Sequence, residues 1–126
     1  MSTRKWEITP ATAPEQAVAV HLHSSRKKAR KAANKEVPDA WPKGCRGVTN
    51  VYFNGEEPSA RIHLSEPDLT IQILAHEFAH AAVHLATLNR APIYRSDDET
   101  MPHILSDLLD GATEIGLIAI AMKEKP

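Results

Sequence analysis

The sequence predicts an α+β domain, and three observations carry that reading. "VTNVYF" (48–53) and "RIHLS" (61–65) are short runs rich in β-branched and aromatic residues, parted by the turn-forming "NGEEPSA". The stretch from Pro67 to Leu88 has the length and periodicity of one long helix. Alanine-rich and Leu/Ile-rich segments with helical patterning flank these elements on either side. The predicted order is helix, hairpin, long helix, helix, within a single domain spanning residues 1–126.

Residues 1–13 are polar with Pro and Thr and read as a flexible lead. A helix is expected from about Pro14, because "PEQAVAVHLHSSRKKARKAANK" is Ala-rich and ends in cations that suit a helix C-terminus. "VPDAWPKGCRG" (37–47) is a Pro/Gly loop, followed by the hairpin. Ser65 fits a helix N-cap, with Asp68 three residues on and Glu66 and Pro67 in the first turn. Residues 89–98 form a loop, and a last helix runs from about Met101 to Met122. The apolar "EIGLIAIAMK" in that helix is either a core element or the surface through which a homodimer would form.

Composition excludes several classes. The net charge of −1 gives no overall attraction to nucleic acid or anionic membrane. Residues 26–35 hold six positive charges and no negative one, but lack interleaved aromatics, so a solvated helix end is expected there rather than a nucleic-acid patch. No run of about 18 apolar residues is present, so no membrane span is expected. Cys45 is the single cysteine, which excludes an internal disulfide and an all-thiolate zinc site. The start, "MSTRKWEITP", lacks an apolar signal core, and a cytoplasmic location is expected.

The chemistry concentrates in "ILAHEFAHAAVHL" (73–85). His76, His80 and His84 fall within about 80° on a helical wheel, with Glu77 at the edge of that arc. Two imidazoles one turn apart can ligate one tetrahedral Zn2+, and a carboxylate next to the first lies beside the open coordination position, where it can move a proton. The pattern His76-Glu77-x-x-His80 therefore points to zinc-assisted hydrolysis with Glu77 as general base. His84 is either a supporting group or a plain helix-face histidine.

A catalytic zinc takes a third protein ligand. Glu99 follows His80 with 18 residues between, room for the chain to turn back. His103, Asp107, Asp110 and Glu114 share an arc of about 80° with Glu99 and are rivals. The alternative is that this stripe is the solvated side of an amphipathic helix.

The spacing His76-Glu77-x-x-His80, then 18 residues, then Glu99, resembles that of gluzincin-type zincin metallopeptidases. "ARIHLSEPDLTIQILAHEFAHAAVH" is also similar to the core of ImmA/IrrE-type peptidases and other minimal gluzincins of bacteria and phages. The resemblance implies a minimal zincin-like fold in which an active-site helix is followed by a glutamate helix. It implies His76, His80 and Glu99 as zinc ligands, Glu77 as base, and "ARIHL" as the edge strand along which a protein or peptide substrate lies. It also implies an oxyanion-stabilising donor, for which His103 and Tyr94 are candidates. The expected function is that of a zinc metallopeptidase. The alternative is an inactive scaffold that binds a partner through residues 26–35.

Overall fold

The computed structural model describes residues 3–53, 57–91, 95 and 97–123. Four strands and four helices follow one another as β1 (Arg4–Ile8), β2 (Val18–His23), α1 (Arg26–Glu36), β3 (Gly47–Val51), β4 (Ala60–Ser65), α2 (Ile71–Leu88), α3 (Thr100–Glu114) and α4 (Leu117–Met122). The α+β class is as expected. The sheet order is β1-β2-β4-β3, with β2 and β4 parallel and both outer pairs antiparallel.

Alternation along the strands divides the sheet into two unlike faces. Val18, Val20, Leu22, Ile62 and Leu64 form the main core with Leu74, Phe78, Ala81 and Leu85 of α2 and Ile104 and Leu108 of α3. The opposite face carries His21, His23, Arg61, His63 and Asn50, and α1 lies over it with buried Ala29 and Ala33 beside Trp41 and Val48. Leu117 and Ala121 of α4 are buried in the main core, so this helix is a core element of its own chain.

Five local expectations are corrected. The polar lead contains β1, which pairs with β2 from Arg4↔Leu22 to Ile8↔Val18. The helix expected from Pro14 is instead β2 followed by α1. "VAVHLH" alternates with period two, and a place between β1 and β4 outweighs its alanine content. The helix proper starts after Ser25, whose hydroxyl accepts from the Lys28 N–H at 3.2 Å.

The long helix begins at Ile71, capped by Thr70 Oγ1, which accepts from the Ile73 N–H at 3.2 Å. Glu66–Asp68 form a separate 3-10 turn, because Leu69 turns extended (φ −68°, ψ 122°) and interrupts the helical path. The last helix is broken at Gly116, whose φ of 82° a side chain would strain. Finally, "ARIHL" lies in β4, an inner strand. The edge beside α2 is β3.

Among the described residues no helix is long and apolar enough to cross a membrane. The packing of α3 on β1 depends on Gly111, where an added Cβ would stand 2.5 Å from Ile8 Cγ2. Ile8 is β-branched and held on a strand, so it has little room to yield. Gly111→Ala is expected to destabilise the fold by about 1–3 kcal/mol through overpacking, more than the helix propensity gained by alanine. Urea denaturation tests this, and adding Ile8→Ala should then cost less than Ile8→Ala does in the parent chain.

Candidate active site

The apolar side of α2 is anchored in the core, which turns the residues on its other side toward solvent and the neighbouring β3. Residues four apart on a helix are neighbours. The Nε2 atoms of His76 and His80 accordingly meet at 3.1 Å, with the rings edge-to-face at 4.7 Å between centroids. Both side chains are exposed. Two nitrogens on one tetrahedral zinc, each at about 2.0–2.1 Å, stand about 3.3 Å apart. The pair fits two of the positions around such an ion with little movement.

Glu77 behaves differently. It is 5% exposed, and its carboxylate turns toward β3, where Thr49 Oγ1 donates to Oε1 at 2.8 Å. The same hydroxyl lies 3.1 Å from the Glu77 carbonyl oxygen, so one threonine holds both ends of the residue. Gly47 makes this approach possible: a Cβ there would press on Glu77 Cγ and Oε2 and on Ile73 Cγ2, each at 3.2 Å. Cys45 Sγ donates to the Gly47 carbonyl at 2.8 Å and steadies the start of β3.

Two grooves meet at His76. One, of about 470 Å³, is lined by Cys45, Gly47, Thr70, Ile73, His76 and Glu77. The other, of about 500 Å³, is lined by Val51, Phe53, His76, His80 and Val83 among others. Together they follow the seam between the β3 edge and α2, with the histidine pair midway.

His84 is buried. Its Nε2 donates to the Tyr52 carbonyl at 2.8 Å, and Phe53 packs edge-on against its ring. It fastens the end of β3 to α2 and is not a third member of the exposed pair.

The third ligand is not assembled. Among the described residues no third His, Cys, Asp or Glu places a ligand atom within 4.8 Å of both imidazole nitrogens. Glu99 is exposed at the N-terminus of α3 and makes no capping hydrogen bond with its side chain. His103, also exposed, lies one turn later. Neither is among the described residues lining the two grooves. Tyr94 lies outside the described residues. The other acids of α3 face elsewhere. Asp107 accepts from the Thr12 N–H at 2.9 Å and the Thr12 hydroxyl at 2.6 Å, and these bonds lower its pKa. Asp107, Asp110 and Glu114 border a separate groove beside Ile8 of β1.

A second histidine group was not anticipated. His21, His23 and His63 each offer one ring nitrogen, and all three lie within 4.8 Å of one another. The parallel register sets His21 opposite His63, with His23 two residues further along the same face. His23 Nε2 and His63 Nδ1 are 3.0 Å apart, while Thr3 Oγ1 is 2.8 Å from His23 Nδ1. His63 Nε2 is 2.7 Å from Glu36 Oε1.

Burial first, then repulsion from His63 and nearby cations, lowers His21 and His23 to about 4. His63 is lowered too, burial outweighing the pull of Glu36. Its contact with Glu36 at neutral pH is thus an N–H···carboxylate hydrogen bond. Burial pushes Glu36 up, but hydrogen bonds from His63, Asn50 and Arg61 prevail and leave it at about 2. The signal for this group lay in "VHLH", where two histidines at alternate positions share one face of a strand.

The chain is therefore an α+β domain with a convergent histidine pair beside a buried carboxylate. Compared with protein-family models, curated proteins and solved structures, it has no match in any of the three.

The contrast between the histidines of α2 is open to test. His84→Ala is expected to lower stability by about 1–3 kcal/mol, because the Tyr52 carbonyl loses its donor and a buried ring is removed, while leaving zinc uptake unchanged. His76→Ala and His80→Ala should do the reverse. Paired denaturation curves and zinc titrations measure both.

Proposed function

We propose that the chain is a zinc-dependent metallopeptidase that cleaves a protein or peptide in the seam between β3 and α2. The observation that carries this reading is the meeting of His76 and His80 at 3.1 Å beside a Glu77 carboxylate held by Thr49. A site built only to hold metal needs no buried carboxylate on an adjacent strand contact. His76, His80 and Glu99 would hold the ion. Glu99 suits that part because its side chain is exposed and uncommitted to a helix cap. Zinc, when bound, lowers the pKa of water and polarises the scissile carbonyl.

The rest falls to the chain's own groups. Glu77 takes the proton from the attacking water and returns it to the departing amine, so its protonation state is restored in each turnover. Thr49 is a positioning residue: its hydroxyl fixes the carboxylate that lines the same groove as His76. β3 is an edge strand of the sheet, and an extended peptide would pair along its outer side. His103 is the candidate donor to the oxyanion, from the first turn of α3.

A second reading rests on α1, which exposes Lys27, Arg30, Lys31 and Lys35 on the far side of the sheet. In that reading the domain binds an acidic partner and does not cleave it. Binding would then weaken steeply with salt and be indifferent to Glu77.

Two measurements separate these readings. The parent chain is expected to take up zinc at the histidine pair, with weaker uptake in Glu99→Ala. Unchanged uptake would remove Glu99 from the site. With a generic protein substrate, Glu77→Gln should cut hydrolysis by about 10²-fold or more with zinc retained. Thr49→Val should slow turnover by about tenfold, and Thr49→Ser should restore it. Proteolysis that survives Glu77→Gln would end the peptidase reading.

A further inference from the structure

We propose that His21, His23 and His63 form a second metal site, for a divalent transition ion of the zinc or cobalt kind, on the α1 face of the sheet. The site is independent of the α2 histidines, because the sheet itself stands between them.

Three observations support it. The first is convergence. Three imidazoles from adjacent parallel strands bring one nitrogen each to within 4.8 Å of the others, and no other group of three among the described residues does so. The parallel register keeps them on one face, so convergence follows from backbone pairing.

The second is the support around the ring nitrogens that point away. Histidines that bind metal nearly always have the other ring nitrogen held by a carboxylate, carbonyl or hydroxyl. Here His63 Nε2 donates to Glu36 at 2.7 Å, and His23 Nδ1 has the Thr3 hydroxyl at 2.8 Å. Glu36 is itself fixed by Asn50 at 3.2 Å, Tyr52 at 3.1 Å and Arg61 at 2.5 Å. With Nε2 of His63 carrying the proton, its Nδ1 must present a lone pair, and that atom faces His23.

The third is accessibility. His23 and His63 are buried at 4% and 1% exposure, but His21 is only half-buried. An ion can enter past His21 and keep water in its fourth position.

Without metal the same atoms form a hydrogen-bonded file running Thr3, His23, His63, Glu36. Loading requires the His23 proton to move from Nε2 to Nδ1, where it is donated to Thr3 Oγ1. It also widens the gap between His23 Nε2 and His63 Nδ1 from 3.0 Å to about 3.3 Å. Both changes are small. Arg61 and Lys5 oppose the added charge, and Glu36 offsets Arg61 through their ion pair. Neutral imidazole nitrogens without thiolates select ions such as zinc, cobalt, nickel or copper over calcium and magnesium.

The test uses the full chain carrying His76→Ala and His80→Ala, which removes the exposed pair without touching the core. Cobalt is titrated and followed by its visible absorption, then displaced with zinc. We expect about one ion per chain, weakened at least tenfold by adding His21→Ala. That residue is half-buried, so circular dichroism in chelator should show the same fold as the parent. His63→Ala should abolish binding. Absence of cobalt and zinc binding in the double variant would overturn the proposal, as would binding that persists unchanged in His21→Ala. A double variant that binds one ion while the parent binds only one would keep this site and instead remove the ion from α2, so the two readings fail separately.

Discussion

The register between β2 and β4 is the constraint on which the molecule depends. Side chains alternate along a strand, so a slip of one residue would exchange the two faces of the sheet. In the observed register Val20 stands opposite Ile62 and Leu22 opposite Leu64, and these residues meet α2 and α3 in the core. The same register puts His21 opposite His63 on the other face. A slip would bury imidazoles against Phe78 and expose valines to α1. Because the pair is parallel, the chain must cross over between its strands, and α1 makes that crossing on the polar face. Thus one pairing decides the core, the histidine group and where α1 lies.

The second face of β3 shows how an edge strand becomes part of a site. Glycine at position 47 lets the backbone come close to Glu77, and threonine at 49 supplies a hydroxyl that meets the carboxylate. A buried carboxylate without such a partner would be costly, so Thr49 and Glu77 depend on each other. His84 ties the far end of β3 to α2 through the Tyr52 carbonyl. The exposed pair, His76 and His80, then lies along a seam that is held at both ends.

Much of this was legible beforehand. The hairpin of residues 48–53 and 61–65 appears as the antiparallel β3–β4 pair, and the histidine helix lies where its periodicity placed it. The convergence of His76 and His80 follows from spacing alone. What was not legible depended on tertiary context. "VAVHLH" reads as helix when joined to the alanine- and lysine-rich run after it, and only pairing with β1 and β4 makes it a strand. The role of β4 as an inner strand could not be read, because nothing local reveals that β2 lies on its other side. Thr49 and Gly47 carry no motif at all. Their importance arises from a helix thirty residues away in the chain, as Thr49 meets Glu77 across a sequence separation of 28.

The two histidine groups are built on opposite physical terms, and that difference bears on what each can do. The α2 pair is exposed, lies between two grooves, and among the described residues its far ring nitrogens have no fixed partners of the kind seen on the other face. It is arranged for access by a large ligand. The sheet group is covered by α1 and joined to a carboxylate that is itself held by three side chains, and His21 is its most exposed member. Such rigidity favours holding over turning over, since the His23 and His63 rings already have fixed partners before anything binds. An ion there would join β2 to β4 and, through Glu36, to the end of α1. It would therefore reinforce the register that orders the rest of the fold, from which the α2 seam takes its shape.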